Sequence, residues 1–202
     1  MTTYPIRLYG DAILRRRARP VSRFDAELRR LADALVDTML TAEGAGLAAP
    51  QVGVPLRLFV LAGTYAGVLD PEEEHDAETE RAAVRVLVNP QLVARDGSRV
   101  DVEGCLSIPG VYADVERAAA VTLRYQDLDG RWHETVAEGL KSKAVQHETD
   151  HLDGVLFLDR LDPEVRRALM EEHRAELAQM QRDARAHLKE LRRAGLPPQP
   201  WP

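Results

Sequence analysis

The segment 146–152 constrains this chain more than any other, because it contains the pattern His-Glu-x-x-His. His147 and His151 are four residues apart, so on an α-helix both imidazoles lie on one face, about one turn from each other. Glu148 follows the first histidine directly, where its carboxylate could act as a general base beside a bound metal ion. The pattern therefore predicts a mostly buried helix over about residues 138–153. A metal site on this helix is one interpretation, and a chance combination of two histidines and a glutamate is the other.

Length and charge limit the kinds of protein that this chain can be. Its 202 residues suit a single domain, 1–202, with a Pro-rich tail from about residue 194. A net charge of −6 gives no general attraction to DNA or to anionic membranes, and no apolar run approaches the ~20 residues of a membrane span. Since the first residues lack the apolar core of a signal peptide, we expect a cytoplasmic protein.

Apolar spacing predicts the remaining elements. Apolar residues recur every three or four positions over 24–41 and again between Pro163 and Leu191, which indicates one helix in each segment. The acidic tract 70–80 is expected to be an exposed loop, and Gly154 to cap the metal-binding helix. Strands are expected at 56–61, at 83–88 (ended by Asn89-Pro90), at 119–125 and at 132–136. We therefore predict an α+β fold, with antiparallel strands around a central metal-binding helix and an outer C-terminal helix.

Two histidines alone do not complete a metal site, so the third ligand must be sought elsewhere in the chain. An extended pattern with a third histidine fails, because Phe157 stands at that position. Glu171 or Glu172 of the last helix could serve, as in a metallopeptidase, although glutamates are common on exposed helix faces. Cys105, the only cysteine, is the other candidate: one thiolate and two imidazoles leave a fourth position open, as in catalytic centres. The residues alone leave both alternatives open.

Three segments of the chain combine small, polar and metal-binding residues in a distinctive order. They are Gly44-Ala45-Gly46-Leu47-Ala48-Ala49-Pro50-Gln51, Glu103-Gly104-Cys105-Leu106-Ser107 and Gln146-His147-Glu148-Thr149-Asp150-His151-Leu152. Together they resemble the three motifs of the bacterial peptide deformylases, and the resemblance runs from about Ile6 to about Leu161. A chain with all three complete is identified as a member of that family.

The resemblance implies a mononuclear metal site. One divalent ion per chain would be held by Cys105, His147 and His151, with Fe²⁺ expected as the native ion and Zn²⁺ or another divalent ion as a substitute. Thiolate and imidazole ligands accept both metals, so the sequence does not choose between them.

The resemblance also assigns the catalytic residues. Glu148 would move protons, while the side-chain amide of Gln51 and the backbone N–H of Leu106 would stabilise the oxyanion. Glu103 and Arg117 would form a pair that supports the cysteine segment. The substrate-binding residues would be Gly46, Ala45, Leu140 and Ala144, the last two because they share the ligand face of the helix.

The implied activity is hydrolytic removal of the formyl group from N-formylmethionine at the N-terminus of newly made polypeptides, with release of formate. The expected partners are N-formylmethionyl nascent peptides, and the expected state is a monomer. Basic residues of the last helix suggest, as a hypothesis, docking on the ribosome near the nascent chain: Arg166, Arg167, Arg174 and Arg185. A non-catalytic binding module on the same scaffold is the alternative from another class, and the presence of Glu148 and Gln51 argues against it.

Overall fold

A computed structural model describes residues 2–195 of the chain. In this range the helices are α1 (Ala26–Thr41), α2 (Ala77–Ala83), α3 (Gly139–Leu152), α4 (Pro163–Glu172) and α5 (Arg174–Arg193). The strands are β1 (Gly46–Ala48), β2 (Leu58–Leu61), β3 (Arg85–Asp96), β4 (Arg99–Cys105), β5 (Ile108–Arg117), β6 (Ala120–Gln126) and β7 (Trp132–Glu138). Short 3₁₀ helices cover Ala12–Arg15, Ala49–Val52 and Phe157–Arg160. The predicted α+β class is confirmed.

The strands form two antiparallel sheets with α3 between them. A five-stranded sheet has the order β1-β2-β3-β6-β7, and β4 pairs with β5 in a separate hairpin. Val145 and Leu152 of α3 pack against Phe59 and Leu123 of the larger sheet. The hairpin supplies Cys105 from its turn end, so α3 occupies the central position that the sequence predicts.

Helix α1 covers the other face of the five-stranded sheet. Its start is fixed by Asp25, whose carboxylate accepts hydrogen bonds from the backbone N–H groups of Glu27 and Leu28 at 3.0 and 3.1 Å. The apolar stripe begins at Leu28 and ends at Met39, and it packs against β2 in a buried cluster. The helix predicted from about residue 24 therefore begins two residues later, after its capping aspartate.

The prediction that Asn89-Pro90 ends a strand is wrong, because β3 continues to Asp96. Asn89 adopts φ 50°, and the pairing of β3 with β6 shifts register between Val88 and Gln91. Pro90 lies inside this irregularity, where its missing N–H does not interrupt the regular ladder.

The single C-terminal helix of the prediction is divided in two at His173. Leu169 and Leu177 stay eight positions apart on the buried side, so the break leaves no trace in the apolar spacing. In the acidic tract, Asp76 accepts a hydrogen bond from the N–H of Thr79 at 2.7 Å and starts α2, so this segment is not wholly a loop. Most of the Pro-rich tail, from residue 196, lies outside the described residues.

Among residues 2–195, none of the helices combines the length and the apolar character needed to cross a bilayer.

Candidate metal and catalytic site

Helix α3 is held at both ends by glycines with positive φ. Gly139 begins the helix at φ 56°, and Gly154 follows its last turn at φ 74°. A Cβ atom on Gly154 would lie 2.6 Å from the carbonyl oxygen of Arg15, so this position accepts only glycine without moving the backbone. The helix therefore ends where the sequence predicts, directly after the second histidine.

Cys105, His147 and His151 converge on one point. The Sγ atom of Cys105 is 3.2 Å from Nε2 of His151, and one candidate ligand atom from each residue lies within 4.8 Å of the others. A register shift between Glu103 and Cys105 accompanies the end of β4, from which the sulfur reaches the helix. The structure thus brings together the three residues that the resemblance implies as ligands.

The alternative third ligands lie elsewhere. Glu171 and Glu172 are exposed at the end of α4, and the cluster with Cys105 is the group among residues 2–195 whose geometry could hold a metal ion. The geometry therefore favours the cysteine over the glutamate alternative.

The ring of His147 is oriented from the side opposite the cluster. Its Nδ1 atom lies 2.9 Å from Oε2 of Glu103, which leaves Nε2 for the cluster. Burial alone would raise the pKa of Glu103, but hydrogen bonds from Arg117 and His147 outweigh it and lower that pKa to about 2. Glu103 therefore stays ionised near neutral pH and fixes the orientation of the histidine.

Arg117 connects two buried carboxylates. Its Nε and Nη2 atoms donate to Glu103 at 2.8 and 2.9 Å, and its Nη1 donates to Asp150 at 2.6 Å. Asp150 also accepts two hydrogen bonds from Arg160. The pairing of Glu103 with Arg117 agrees with the resemblance, whereas Asp150 and Arg160 received no role from the sequence.

Glu148 points into the site from α3. Its side chain is buried, and its Oε2 atom has no hydrogen-bond partner among the described residues. Burial, only partly opposed by the charge of His147, raises the pKa of Glu148 to about 7. A Cβ atom on Gly46 would lie 2.7 Å from Oε1, so the glycine makes room for this carboxylate. Glu148 can therefore exchange a proton near neutral pH.

Gln51 presents its amide nitrogen to the cysteine. Its Nε2 atom lies 3.5 Å from the sulfur of Cys105 and donates to Ser107 at 3.2 Å, while its Oε1 accepts from the N–H of Ala48 at 2.8 Å. The amide orientation is thus fixed at both ends. Leu106 follows Cys105 in the turn between β4 and β5, and its side chain packs against the buried apolar cluster between α1 and β2.

A cavity of about 450 Å³ opens beside these groups. Ala45, Gly46 and Ala144 line it, as the resemblance implies, but Leu140 does not. Leu140 lies in the first turn of α3, 38% exposed, and Lys143 lines the cavity from the same helix. Further lining residues that sequence reasoning missed are Glu43, Tyr65, Val102, Pro109, Gly110 and Tyr112.

Some of the missed lining residues carried a signal. Lys143 lies four positions before His147, so helical spacing alone places it on the ligand face. Tyr112 reaches the cavity through the pairing of β4 with β5, which no local pattern predicts.

The donor set suits a divalent ion. Thiolate sulfur with two imidazole nitrogens is a common ligand set for zinc and accepts iron, and three protein ligands leave a position open for substrate or water. The unpaired Oε2 of Glu148 lies in the same site, where a polar partner such as water would satisfy it.

Comparison with known proteins assigns this arrangement to a family. Residues 3–167 match the model of the family described as polypeptide deformylase. The peptide deformylase of Thermus thermophilus is 48% identical over 189 residues, which cover 93% of this chain and 97% of that protein. A crystal structure of peptide deformylase from the same species superposes with a TM-score of 0.79 at 43% identity, covering 90% of this chain and 99% of the other. A peptide deformylase from Legionella pneumophila gives a TM-score of 0.74 at 39% identity, with 90% and 96% covered. The chain belongs to the polypeptide deformylase family.

Proposed function

We propose that Cys105, His147 and His151 hold one divalent metal ion, and that Glu148 and Gln51 act on the substrate beside it. The chain is a hydrolase of a metal-dependent family, and its reaction is removal of the formyl group from N-formylmethionine at the start of newly made polypeptides. The observation that carries the residue assignment is the convergence of the three ligand atoms within 4.8 Å beside a buried glutamate.

The metal is proposed to be Fe²⁺ in the cell, as the family resemblance implies. Zn²⁺ is proposed as a working substitute, because the thiolate and imidazole ligands accept both metals. When bound, the ion supplies Lewis acidity, which lowers the pKa of a water molecule and polarises the formyl oxygen. Because Nδ1 of His147 is held by Glu103, Nε2 is the ring nitrogen that would bind the ion.

Glu148 is proposed as the general base and acid. With its pKa raised to about 7 it can take a proton from the attacking water and then deliver it to the leaving amine. Its burial beside Gly46 keeps the carboxylate close to the cluster without a competing hydrogen bond at Oε2 among the described residues.

Gln51 and Leu106 are proposed to stabilise the charge that develops on the formyl oxygen. The Nε2 group of Gln51 is held near the sulfur by contacts at both ends of the amide, and the N–H of Leu106 belongs to the adjoining turn. Such fixed donors stabilise a transition state without reorganising during the reaction.

The methionine side chain is proposed to occupy the cavity bounded by Ala45, Gly46 and Ala144. These small residues leave room for an unbranched thioether, which adapts to an irregular apolar pocket. Leu140 is left out of this pocket, and Lys143 lines it from the same helix.

The test is formate release from formyl-Met-Ala-Ser by protein prepared without oxygen and reloaded with iron or zinc. We expect Glu148→Ala to lower kcat by about 10²–10⁴-fold, and Gln51→Ala by about 10²–10³-fold. Cys105→Ser should lose metal and activity together. Retention of both in Cys105→Ser would contradict the ligand assignment, and full activity in Glu148→Ala would contradict the proposed base.

The wider setting is also part of the proposal. We expect a single domain that works as a monomer in the cytosol on nascent chains. Docking on the ribosome would use exposed arginines of α4 and α5, such as Arg167 and Arg185, although exposed Arg174 already pairs with Glu171 at 3.3 Å. Co-sedimentation with ribosomes should fall when Arg167 and Arg185 are changed to glutamate, and unchanged co-sedimentation would refute this docking surface.

A further inference from the structure

A series of paired charges leads from the protein surface to His147. Arg160 donates through Nε and Nη2 to the two carboxylate oxygens of Asp150, with 2.9 Å between Nε and Oδ2. Asp150 accepts a hydrogen bond from Arg117 at 2.6 Å, and Arg117 donates two further hydrogen bonds to Glu103. Glu103 in turn lies 2.9 Å from Nδ1 of His147. Charge on both partners strengthens each arginine–carboxylate contact in the series.

The inner side chains of this series are largely buried, and Arg160 is its outer end. The Arg160 side chain is 45% exposed, against 10% for Asp150, 4% for Arg117 and 2% for Glu103. Two buried carboxylates face one buried guanidinium, so Arg160 supplies the second positive charge. Without it, Arg117 alone would have to balance the charges of both Asp150 and Glu103, because buried carboxylates need paired charges.

The backbone of Arg160 is fixed by its own 3₁₀ helix. Phe157 and Leu158 of that helix are each 1% exposed, and Asp159 accepts a hydrogen bond from the N–H of Leu156 at 2.9 Å. The Phe157 ring also stacks with the ring of His147, at 6.4 Å between centroids and 24° between planes. One short helix therefore contacts the histidine directly through a ring and indirectly through the series of charges.

We propose that Arg160 is a positioning residue for the metal site. By holding Asp150, it keeps Arg117 on Glu103, and Glu103 then holds the imidazole of His147 at the orientation that the ion requires. The orientation of a histidine ligand depends on the hydrogen bond made by its other ring nitrogen, so loss of a remote partner weakens binding of the ion. This inference rests on the proposed ligand set of Cys105, His147 and His151.

Zinc affinity of the purified protein, measured by competition with a chelator of known affinity, tests the proposal. Direct partners of ligating side chains contribute about 10–100-fold to metal affinity, and Arg160 acts through three intervening side chains, Asp150, Arg117 and Glu103. We expect Arg160→Gln to weaken zinc binding by about tenfold, at the lower end of that range. Arg160→Lys, which keeps the charge but loses the two-point contact, should recover most of the affinity.

Arg166→Gln is the matched control. Arg166 is a half-exposed arginine nearby that pairs with Asp159 at 3.2 Å, and the hydrogen bonds and ion pairs of residues 2–195 include none between Arg166 and Asp150. The zinc affinity of Arg166→Gln should stay within about twofold of that of the unchanged protein, because an exposed ion pair contributes little free energy. Thermal unfolding of the metal-free variants shows whether Arg160→Gln acts only through general stability.

The outcomes separate this inference from the function on which it rests. Zinc binding that depends on Cys105 but is equal in Arg160→Gln and Arg166→Gln would overturn the positioning role and leave the ligand set intact. Weakening that simply follows the lowered melting temperature in both variants would overturn it as well. If the unchanged protein binds no zinc through Cys105, the ligand set fails, and the role of Arg160 fails with it.

Discussion

The two sides of α3 are held by different kinds of contact. On the side of the five-stranded sheet, Val145 and Leu152 are fully buried against apolar residues of β2 and β6. On the side of the β4–β5 hairpin, His147 and Asp150 enter a series of charge-assisted hydrogen bonds with Glu103 and Arg117. Apolar contacts are non-directional and set where the helix lies, whereas the hydrogen bonds are directional and set how its side chains point.

This difference indicates that the two sides of α3 contribute differently to the stability of the fold and to metal affinity. Damage to the sheet side should lower the stability of the fold and leave the metal affinity of the folded protein unchanged. Damage to the hairpin side should affect both, because the same charges support the fold and orient a proposed ligand.

Replacement of Arg117 should have the largest effect. Arg117→Ala leaves Glu103 and Asp150 with one exposed cation between them, and removal of one partner from a buried ion pair costs about 3–5 kcal/mol. We expect a loss of this size in the free energy of unfolding by urea, together with weaker zinc binding in the fraction that stays folded. A loss below about 1 kcal/mol would place Arg117 among ordinary surface charges and remove the contrast between the two sides.

Truncation on the sheet side should come next. Leu152→Ala removes a fully buried side chain, for which about 3 kcal/mol of unfolding free energy is a typical cost. Chelator competition on the folded variant should give a zinc affinity within about threefold of the original, because ligand orientation depends on the other side of the helix. Loss of zinc binding comparable to that of Arg117→Ala would show that the two sides are not separable.

Acid should weaken the hairpin side selectively. The pKa of Glu103 is lowered in the fold from 4.5 to about 2, so its ionised form stabilises the protein above pH 4.5, and this contribution is lost as the pH falls towards 2. Between pH 7 and pH 3 the loss amounts to about 2 kcal/mol of unfolding free energy. The stability difference between the unchanged protein and Glu103→Gln should therefore shrink with acid in urea titrations. The difference from Leu152→Ala should stay constant, and a parallel decrease would contradict the assignment.

Local patterns were sufficient to predict much of the fold and of the candidate site. Histidine spacing placed His147 and His151 on one helical face, and Gly154 marked the end of that helix, since both are properties of a few adjacent residues. The α+β class followed from short apolar runs between turn residues. Cys105 could be selected over Glu171 only with the help of the family motifs, and the cluster geometry agrees with that choice.

Features that depend on distant pairing could not be predicted in this way. The contact between Arg117 and Asp150 spans 33 positions, and no periodicity in the sequence reports it. Pro90 continues a strand because a neighbouring Asn89 takes φ 50°, a conformation that its sequence permits but does not require. The apolar spacing continues without a shift across the break at His173, so the sequence pattern predicts one helix where the structure has two.

The contact between Gly46 and Glu148 has a consequence for the history of such chains. A methyl group at position 46 would meet the carboxylate of Glu148 at 2.7 Å, so a larger residue at position 46 would require this carboxylate to move. If Glu148 carries the proton, as proposed, a chain that replaced the glycine would have to hold that carboxylate in another position. The residue tolerated at position 46 is therefore expected to depend on the side chain at position 148, although the two lie 102 positions apart along the chain.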